Sequence, residues 1–323
     1  MPGQLRFGTC SWKYPSWRGL VYSAAKGIDY LAEYARRYDA VEVDQWFWSL
    51  FRGSKPGDPV VLPRPADVAA YRAAVGDDFR FTVKAPNSLT LTHFYAPKKG
   101  APPVPNDAYL SPQVHAEFLD LLEPLRDLLG VVMFQFEYLN KRQVPSQAAW
   151  QARLGDFFAA IDRAVPYAVE VRNPRYLNPG YWRFLEAQDV SPVLVQGYWM
   201  PPVDQVYEQW RESIARHPVV VVRLMGPNRG AIEKATGKRW DRVVAPKGDD
   251  LPAIAQAVSD LLARGVSVYV NVNNHYEGSA PLTIDRLRAA LGLGDPPALA
   301  GPPASDTPPT SGPAPEQGTL FDD

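Results

Sequence analysis

The sequence predicts an α/β fold, a (β/α)8 TIM barrel followed by a disordered, proline-rich C-terminal tail. Short, apolar, β-branched runs alternate with helical patterns along roughly 290 residues, which is the size of such a barrel. The runs are apolar along their length, as expected of parallel strands covered on both faces. No G-x-G-x-x-G follows the first run, so the competing dinucleotide-binding open sheet lacks its fingerprint.

The strands are predicted first, because each is a short run bounded by turn residues. The run FRFTVK alternates cleanly between apolar and polar residues, and Asn173-Pro174 ends the run that begins at Ala168. The predicted strands, in order, are Leu5–Cys10, Val41–Asp44, Phe79–Lys84, Val131–Phe136, Ala168–Arg172, Val193–Gln196, Val219–Leu224 and Val266–Val272. Between and after these strands, apolar residues recur at helical spacing. The predicted helices lie at Ile28–Tyr38, Phe118–Leu125, Ser146–Ala164, Tyr181–Ala187, Val206–Ala215, Leu251–Leu262 and Leu282–Leu291.

Composition narrows the class of protein. The chain has 323 residues and a net charge of −1, which excludes a globally basic nucleic-acid coat but leaves room for a local basic cleft. One cysteine excludes a disulfide framework and fits a reducing compartment, and no apolar run reaches the roughly 18 residues of a membrane helix. We therefore expect a cytoplasmic protein with no membrane partner. We expect residues 1–293 to form the barrel and residues 294–323, rich in Pro, Gly, Ala, Ser and Thr, to form the tail.

Polar side chains recur at the carboxyl ends of seven of the predicted strands. A barrel interior normally takes Val, Ile and Leu, and barrels keep their ligand sites at the carboxyl end of the strands. With apolar side chains facing the helices, strand alternation sends these polar residues inward. The inward set is Glu42, Asp44, Arg80, Thr82, Lys84, Gln135, Glu137, Glu170, Arg172, Gln196, Arg223, Asn271 and Asn273. The pattern predicts a ligand site rather than one structural ion pair.

The residue types at this end predict acid–base chemistry on an anion. Lys84, Arg172 and Arg223 would bind phosphate or carboxylate, while Glu42 or Glu170 would act as general base. His275, just beyond the last strand, would lie at the mouth of the site. No His-x-x-x-His spacing predicts a zinc site and no cofactor is predicted, although a divalent metal held by Glu42, Asp44 or Glu170 remains an alternative.

Aromatic residues follow the same strand ends. Their flat faces would stack on nucleobases or on sugar rings, and the sequence does not separate the two. The aromatic set is Trp12, Tyr14, Trp17, Trp46, Phe47, Trp48, Phe94, Tyr95, Tyr198, Trp199 and Tyr276.

Seven stretches, in order, resemble the motifs of a known family. They are GTCSWKYPSW, VEVDQWFW, FRFTVKAP with His93 after it, VVMFQF, YAVEVRNP, VVVRLMG and VYVNVNNHYEGSAP. Together they resemble the YecE-like family, also called domain of unknown function 72, from Leu5 to Leu291. The resemblance implies a TIM barrel without a settled activity. Its characteristic residues correspond here to Trp12, Tyr14, Glu42, Lys84, His93, Gln135, Glu170, Arg172, Arg223, Asn273, Asn274 and His275. This chain departs from the family's pattern after Glu42 and at Met225, where the family usually carries His.

The last residues carry a separate signal. Gln317, Leu320 and Phe321 form a Q-x-x-L-F segment, which resembles the peptide by which bacterial proteins bind the DNA sliding clamp. Leu320 and Phe321 would fill an apolar pocket, and the proline-rich tether would supply reach.

Three functions remain open on the sequence. The first is an enzyme that hydrolyses a phosphodiester or another nucleic-acid-derived substrate, with DNA or a nucleotide bound in the cleft. The second is a carbohydrate isomerase or hydrolase that uses paired carboxylates and aromatic platforms. The third is a non-catalytic nucleic-acid adaptor recruited to the clamp.

Overall fold

The strands form a single parallel sheet that curls into a barrel, as predicted. The computed structural model describes residues 3–23, 26–96, 98 and 101–294. Within these ranges the strands are β1 Leu5–Thr9, β2 Ala40–Val43, β3 Arg80–Lys84, β4 Leu129–Gln135, β5 Tyr167–Glu170, β6 Ser191–Gly197, β7 Val219–Gly226 and β8 Ser267–Val272. Their order in the sheet is β1-β8-β7-β6-β5-β4-β3-β2.

The first and second strands bring the two edges of this sheet together. Cys10, just after β1, forms a parallel bridge with Glu42 of β2. The backbone nitrogen of Ser11 donates to the carbonyl of Glu42 over 3.0 Å. The barrel is therefore nearly closed, and the predicted TIM-barrel fold is confirmed.

Helices cover the outside of the barrel. They are α1 Tyr30–Tyr34, α2 Pro65–Ala74, α3 Pro112–Leu121, α4 Gln147–Ala160, α5 Pro179–Ala187, α6 Val203–Ile214, α7 Arg229–Thr236, α8 Asp250–Ala263 and α9 Ala280–Ala290. Several begin at capping residues: the side chain of Asp29 accepts from two backbone nitrogens of α1, and Asn178 does the same for α5. No helix of the described residues is long and apolar enough to cross a membrane.

Two helices lie outside the prediction, and α1 is shorter than predicted. Helix α2 buries only Val68, so its apolar periodicity is too weak to stand out in an alanine-rich segment. Helix α7 is eight residues long, close to the shortest that periodicity can detect. Neither difference moves the strands that carry the candidate site.

The core has two layers. Large side chains such as Phe134, Trp150 and Trp182 pack between the strands and the helices. A smaller cluster fills the barrel itself, from residues that alternate with the outward ones. Its members are Cys10, Ala40, Val131, Met133, Ala168, Val193, Val195, Val221, Met225 and Tyr269. This inner set identifies the inward side chains of the strands that contribute to it.

Candidate functional site

A buried ionic network occupies the barrel just beyond the inner apolar layer. Arg223 of β7 is 1% exposed, and its Nε and Nη2 donate to the two oxygens of Glu42 on β2 over 2.7 and 2.5 Å. Its Nη1 donates to Gln135 of β4 over 3.0 Å and also pairs with Glu170 of β5. One guanidinium therefore ties together strands from opposite parts of the barrel.

Amide and hydroxyl groups complete this network. The Nδ2 of Asn271 donates to Glu42 over 3.2 Å and to the hydroxyl of Thr82 over 2.9 Å. Glu42, Thr82, Glu170 and Asn271 are all buried. Ionised groups are tolerated at such depth only when they are paired and hydrogen-bonded, and here each carboxylate oxygen has a donor.

Arg172, two residues beyond the end of β5, connects the network to the mouth of the barrel. Its Nε donates to the free oxygen of Glu170 over 2.9 Å. Its guanidinium carbon lies 4.0 Å from the centre of the Tyr198 ring, and its side chain is 21% exposed. Within the described residues, its two terminal nitrogens have no hydrogen-bond partner. The guanidinium is thus held from two sides, by the carboxylate of Glu170 and by the ring of Tyr198.

Lys84 and Asp44 form a second pair at the ends of β3 and β2. The ammonium of Lys84 lies 2.6 Å from Oδ1 of Asp44 and 3.8 Å from the centre of the Phe47 ring. Lys84 is buried, whereas the carboxyl side chain of Asp44 is 35% exposed. Asp44 is therefore the member of this pair that a ligand can reach.

The surroundings shift the pKa values of three carboxyl groups at this end, two downward and one upward. Burial opposes ionisation of Glu170, but the guanidinium groups of Arg223 and Arg172 outweigh it and lower the pKa of this carboxyl. Burial likewise opposes ionisation of Asp44, and the ammonium of Lys84 outweighs it and lowers the pKa. Burial raises the pKa of Glu137, and the hydrogen bond from Gln143 offsets only part of this effect. Arg172 acts on all three carboxyls, so they share one electrostatic environment.

His275 lies at the same end but is committed to the loop around it. Its Nδ1 lies 2.6 Å from Oδ1 of Asn273, and its Nε2 lies 3.1 Å from Oε1 of Glu233 on α7. Burial and the charge of Arg229 lower the pKa of His275, and Glu233 acts in the opposite direction. The ring therefore links the β8 loop to α7.

Gln196 is not part of the network, contrary to the prediction. Val193 and Val195 fill the inner layer of β6, so the side chain of Gln196 points outward. It donates to Asp250 on α8 over 3.1 Å and accepts from the backbone nitrogen of Val203 at the start of α6 over 2.8 Å. The sequence assignment was out of phase by one residue on this strand.

Asn274 lies in the loop after β8 and contacts the start of α9. It is 2% exposed, and its Oδ1 accepts from the backbone nitrogen of Ala280 at the start of α9. It therefore supports the start of this helix, and its role in substrate binding stays a prediction. His93 contacts the hydroxyl of Thr92 at 2.8 Å, and within the described ranges no hydrogen bond or ion pair joins it to the Arg223 network.

The predicted aromatic rim divides into packed and open members. Trp12 and Trp46 are buried and pack on Tyr71, with ring centres at 4.9 and 5.3 Å. The sequence predicted that Trp12 and Trp46 line the ligand site, and their burial corrects that prediction. Large aromatic rings are buried wherever a loop can fold over them. Tyr14 is half-buried, and its hydroxyl donates to the carbonyl of Cys10 over 3.2 Å. Trp199 remains open, with 87% of its surface exposed.

Sequence reasoning missed two residues at this end. Tyr138, three residues beyond β4, is 62% exposed. Glu233, on the unpredicted helix α7, holds His275. The signal for Tyr138 was its position after an inward Glu137, but exposure itself cannot be read from a sequence.

No group of three or more His, Cys, Asp or Glu side chains in the described part of the chain is arranged to hold a metal ion. Glu42 and Glu170 direct their oxygens at guanidinium groups, and Asp44 directs one at Lys84. A divalent metal, the alternative considered from the sequence, would need free carboxylate oxygens at these positions. The ion pairs engage those oxygens instead.

Comparisons with known proteins agree with this fold. A DUF72 family protein of Enterococcus faecalis superposes with a TM-score of 0.63 over 93% of this chain and 99% of that chain, at 21% identity. A DUF72 family protein of Thermotoga maritima gives 0.60 over 90% and 99%, at 19% identity. Identities this low show the shared fold alone.

The sequence comparisons point to the same family. The UPF0759 protein YecE of Escherichia coli is 28% identical over 174 residues, which are 54% of this chain and 50% of that protein. The match thus spans about half the length of this curated relative. The profile of the family described as "Protein of unknown function DUF72" matches residues 6–307. The resemblance noted in the sequence is confirmed, and the chain belongs to the DUF72 family.

Proposed function

We propose that this protein is a hydrolase that cleaves a phosphodiester or a related anionic, nucleic-acid-derived substrate at the carboxyl end of the barrel. The observation that carries the proposal is the guanidinium of Arg172. Glu170 holds its Nε and Tyr198 supports its face, while both terminal nitrogens are left for a ligand. A planar fork of this kind binds phosphate or carboxylate oxygens in pairs.

The buried network serves to position this fork. Glu170 is shared between Arg223 and Arg172, and Glu42 holds Arg223 from the other side. Glu42 and Glu170, predicted from the sequence as general bases, are better suited to this positioning role. Both oxygens of each carboxylate are engaged by guanidinium groups, and both side chains are buried.

The proton transfers are assigned to the two reachable carboxyl groups. Their environments move their pKa values in opposite directions, which is how enzymes divide acid and base roles between carboxyls. Asp44, ionised, takes a proton from a water molecule as the water oxygen bonds to phosphorus. Glu137, protonated, gives its proton to the leaving oxygen as the phosphorus–oxygen bond breaks. Arg172 and Lys84 stabilise the charge on the phosphoryl oxygens.

Steady-state hydrolysis of thymidylyl-(3′→5′)-thymidine, whose leaving sugar oxygen needs a proton, tests this proposal. We expect Glu137→Gln to lower kcat by about 10²- to 10⁴-fold, the usual contribution of a general acid. Arg172→Lys keeps the charge but removes the fork, and we expect it to raise KM and lower kcat/KM. Arg183→Lys on the exposed face of α5 is the matched control and should change neither value. A wild-type protein without turnover, or variants equal to the control, would contradict the proposal. Turnover of a sugar substrate instead would favour the carbohydrate alternative.

The clamp-binding tail is a separate proposal, and it rests on sequence alone. Gln317, Leu320 and Phe321 lie outside the described residues, as does the predicted tail from residue 295 onward. The support is the order of polar and apolar residues in the segment and the long proline-rich tether before it. Deleting residues 316–323 should abolish binding to a bacterial sliding clamp in a surface plasmon resonance assay. Unchanged affinity would end this proposal without affecting the barrel site.

A further inference from the structure

Two exposed aromatic side chains lie on the loops to either side of the arginine at the barrel mouth. Among the described residues, Tyr138 and Trp199 are the only aromatic residues that are mostly exposed, at 62% and 87% of their surface. Large aromatic rings are normally buried, so an open ring at a ligand site calls for an explanation. Both rings lie on loops that follow strands adjacent to β5, which carries Arg172.

Direct contacts connect both loops to the arginine. The side chain of Asn173, the next residue after Arg172, bonds to both backbone groups of Leu139 over 2.8 and 2.9 Å. Leu139 follows Tyr138, so this contact holds the backbone next to the first ring. On the other side, Arg172 lies on the ring of Tyr198, and Trp199 is the next residue. The two loops that carry the open rings therefore contact the Arg172 segment from both sides.

The backbone holds the second ring outward. Tyr198 and Trp199 have φ values of 53° and 62°, in the left-handed region that bulky residues rarely adopt. Strain of this kind is found mainly at binding sites, where the surrounding structure maintains it. Here it places Tyr198 beneath Arg172 and leaves Trp199 in solvent.

The charge on these loops points to a polyanion. The loops after β4 and β5 carry four cations, Lys141, Arg142, Arg172 and Arg175, against one acidic residue, Glu137. All except Arg172 and Glu137 are exposed. The whole chain has a net charge of −1, so this positive region is local. Alternating cations and open aromatic rings form the pattern by which single-stranded nucleic acid is bound without sequence preference.

We infer that the mouth binds single-stranded nucleic acid, with one phosphodiester on Arg172 and the bases on either side stacked on Tyr138 and Trp199. A duplex does not suit this arrangement, because its bases are already stacked on each other. The inference rests on the proposed function and adds to it the substrate class and two specificity-determining rings.

Fluorescence anisotropy with a labelled pentathymidylate tests the inference. Competitors are the unlabelled pentamer, an abasic phosphodiester chain of equal length and a pentameric oligogalacturonate. We expect the abasic chain to bind at least about tenfold more weakly than the pentathymidylate. Tyr138→Ala and Trp199→Ala should each weaken pentathymidylate binding by about 5- to 100-fold while leaving the affinity for the abasic chain unchanged. Val61→Ala, at an exposed apolar residue before α2, is the control and should change neither.

A second readout follows Trp199 directly. The tryptophan fluorescence of the wild type minus that of Trp199→Phe should change when unlabelled pentathymidylate is added, and should not change with the abasic chain. Equal affinity for both chains, or tighter binding of the oligogalacturonate, would overturn the inference. Loss of binding to both phosphodiester chains in Arg172→Lys, combined with no effect of the two ring variants, would leave the proposed hydrolase standing without base stacking. A wild type that binds neither phosphodiester chain would count against both.

Discussion

Arg223 shows how one residue can organise a whole site. It is buried, and its guanidinium donates to Glu42, Gln135 and Glu170. Replacing such a network by apolar residues is often neutral for stability, whereas removing one member leaves an unpaired charge. A substitution at Glu170 should have the largest effect, because this carboxylate neutralises Arg223 and also orients Arg172.

Glu170→Gln keeps the shape of this side chain and removes its charge. We expect the free energy of unfolding, measured in urea, to fall by about 3 kcal/mol. Glu186→Gln is the matched control, because its pair with Arg216 is exposed, and it should cost less than about 1 kcal/mol. Equal losses of unfolding free energy in the two variants would contradict the expectation that the buried ion pair contributes more to stability than the exposed one.

Strand ends and their loops determine which side chains reach the mouth. Gly197 of β6 and Gly226 of β7 have φ values of 130° and 80°, and a Cβ on Gly226 would lie 2.3 Å from the carbonyl oxygen of His275. The close approach of these loops therefore depends on glycine at this position.

On the opposite side of the sheet, α3 packs through His115, whose ring centre is 5.9 Å from Phe134 and 5.4 Å from Tyr167.

The packing of α3 predicts a pH dependence of stability. Burial lowers the pKa of His115 to about 4 from 6.5. Below about pH 6.5 the unfolded chain binds a proton at this histidine that the folded chain does not, so stability falls as the pH falls. Between pH 6.5 and about pH 4.5 this residue should cost about 2 kcal/mol.

His115→Phe should remove this part of the pH dependence, as measured by urea midpoints across that range. His217 is also buried with a lowered pKa, and it remains in the variant, so a smaller slope should persist. Identical slopes in wild type and variant would contradict the assignment to His115.

At the scale of the whole molecule, the ionic network links distant parts of the sequence across the barrel. Glu42 and Arg223 are 181 positions apart and meet inside it. We expect that the network is retained for the site rather than for stability. The two roles can be distinguished by experiment, because removing the network should affect stability and ligand binding differently.

Arg223→Met should lower the free energy of unfolding by more than about 3 kcal/mol, since buried Glu42 loses its ion-pair partner and buried Glu170 loses one of two. The triple variant Glu42→Leu, Glu170→Leu, Arg223→Met should recover most of this loss. It should still bind phosphodiesters poorly, because Arg172 loses the carboxylate that orients it. Urea denaturation and anisotropy with the pentathymidylate measure the two effects. A triple variant as unstable as Arg223→Met, or one with wild-type affinity, would contradict the expectation.

The sequence by itself determined the barrel and most of the inward polar set. A strand's side chains alternate with a period of two, so the phase of Glu42, Lys84, Glu170, Arg223 and Asn271 could be read from their apolar neighbours. The same argument was wrong for Gln196, because the three residues before it are all apolar and show no alternation, and the strand's inner positions belong to Val193 and Val195.

Only the tertiary structure decided which inward residues are partners and which aromatic rings are open. Pairing depends on distances between strands that are far apart in the chain, and burial depends on how each loop folds over its neighbours. For that reason Arg223 could be predicted to point inward, but not to pair with Glu42 and Glu170. Trp12 and Trp46 are packed, while Trp199 is exposed, although all three follow strands in the same way.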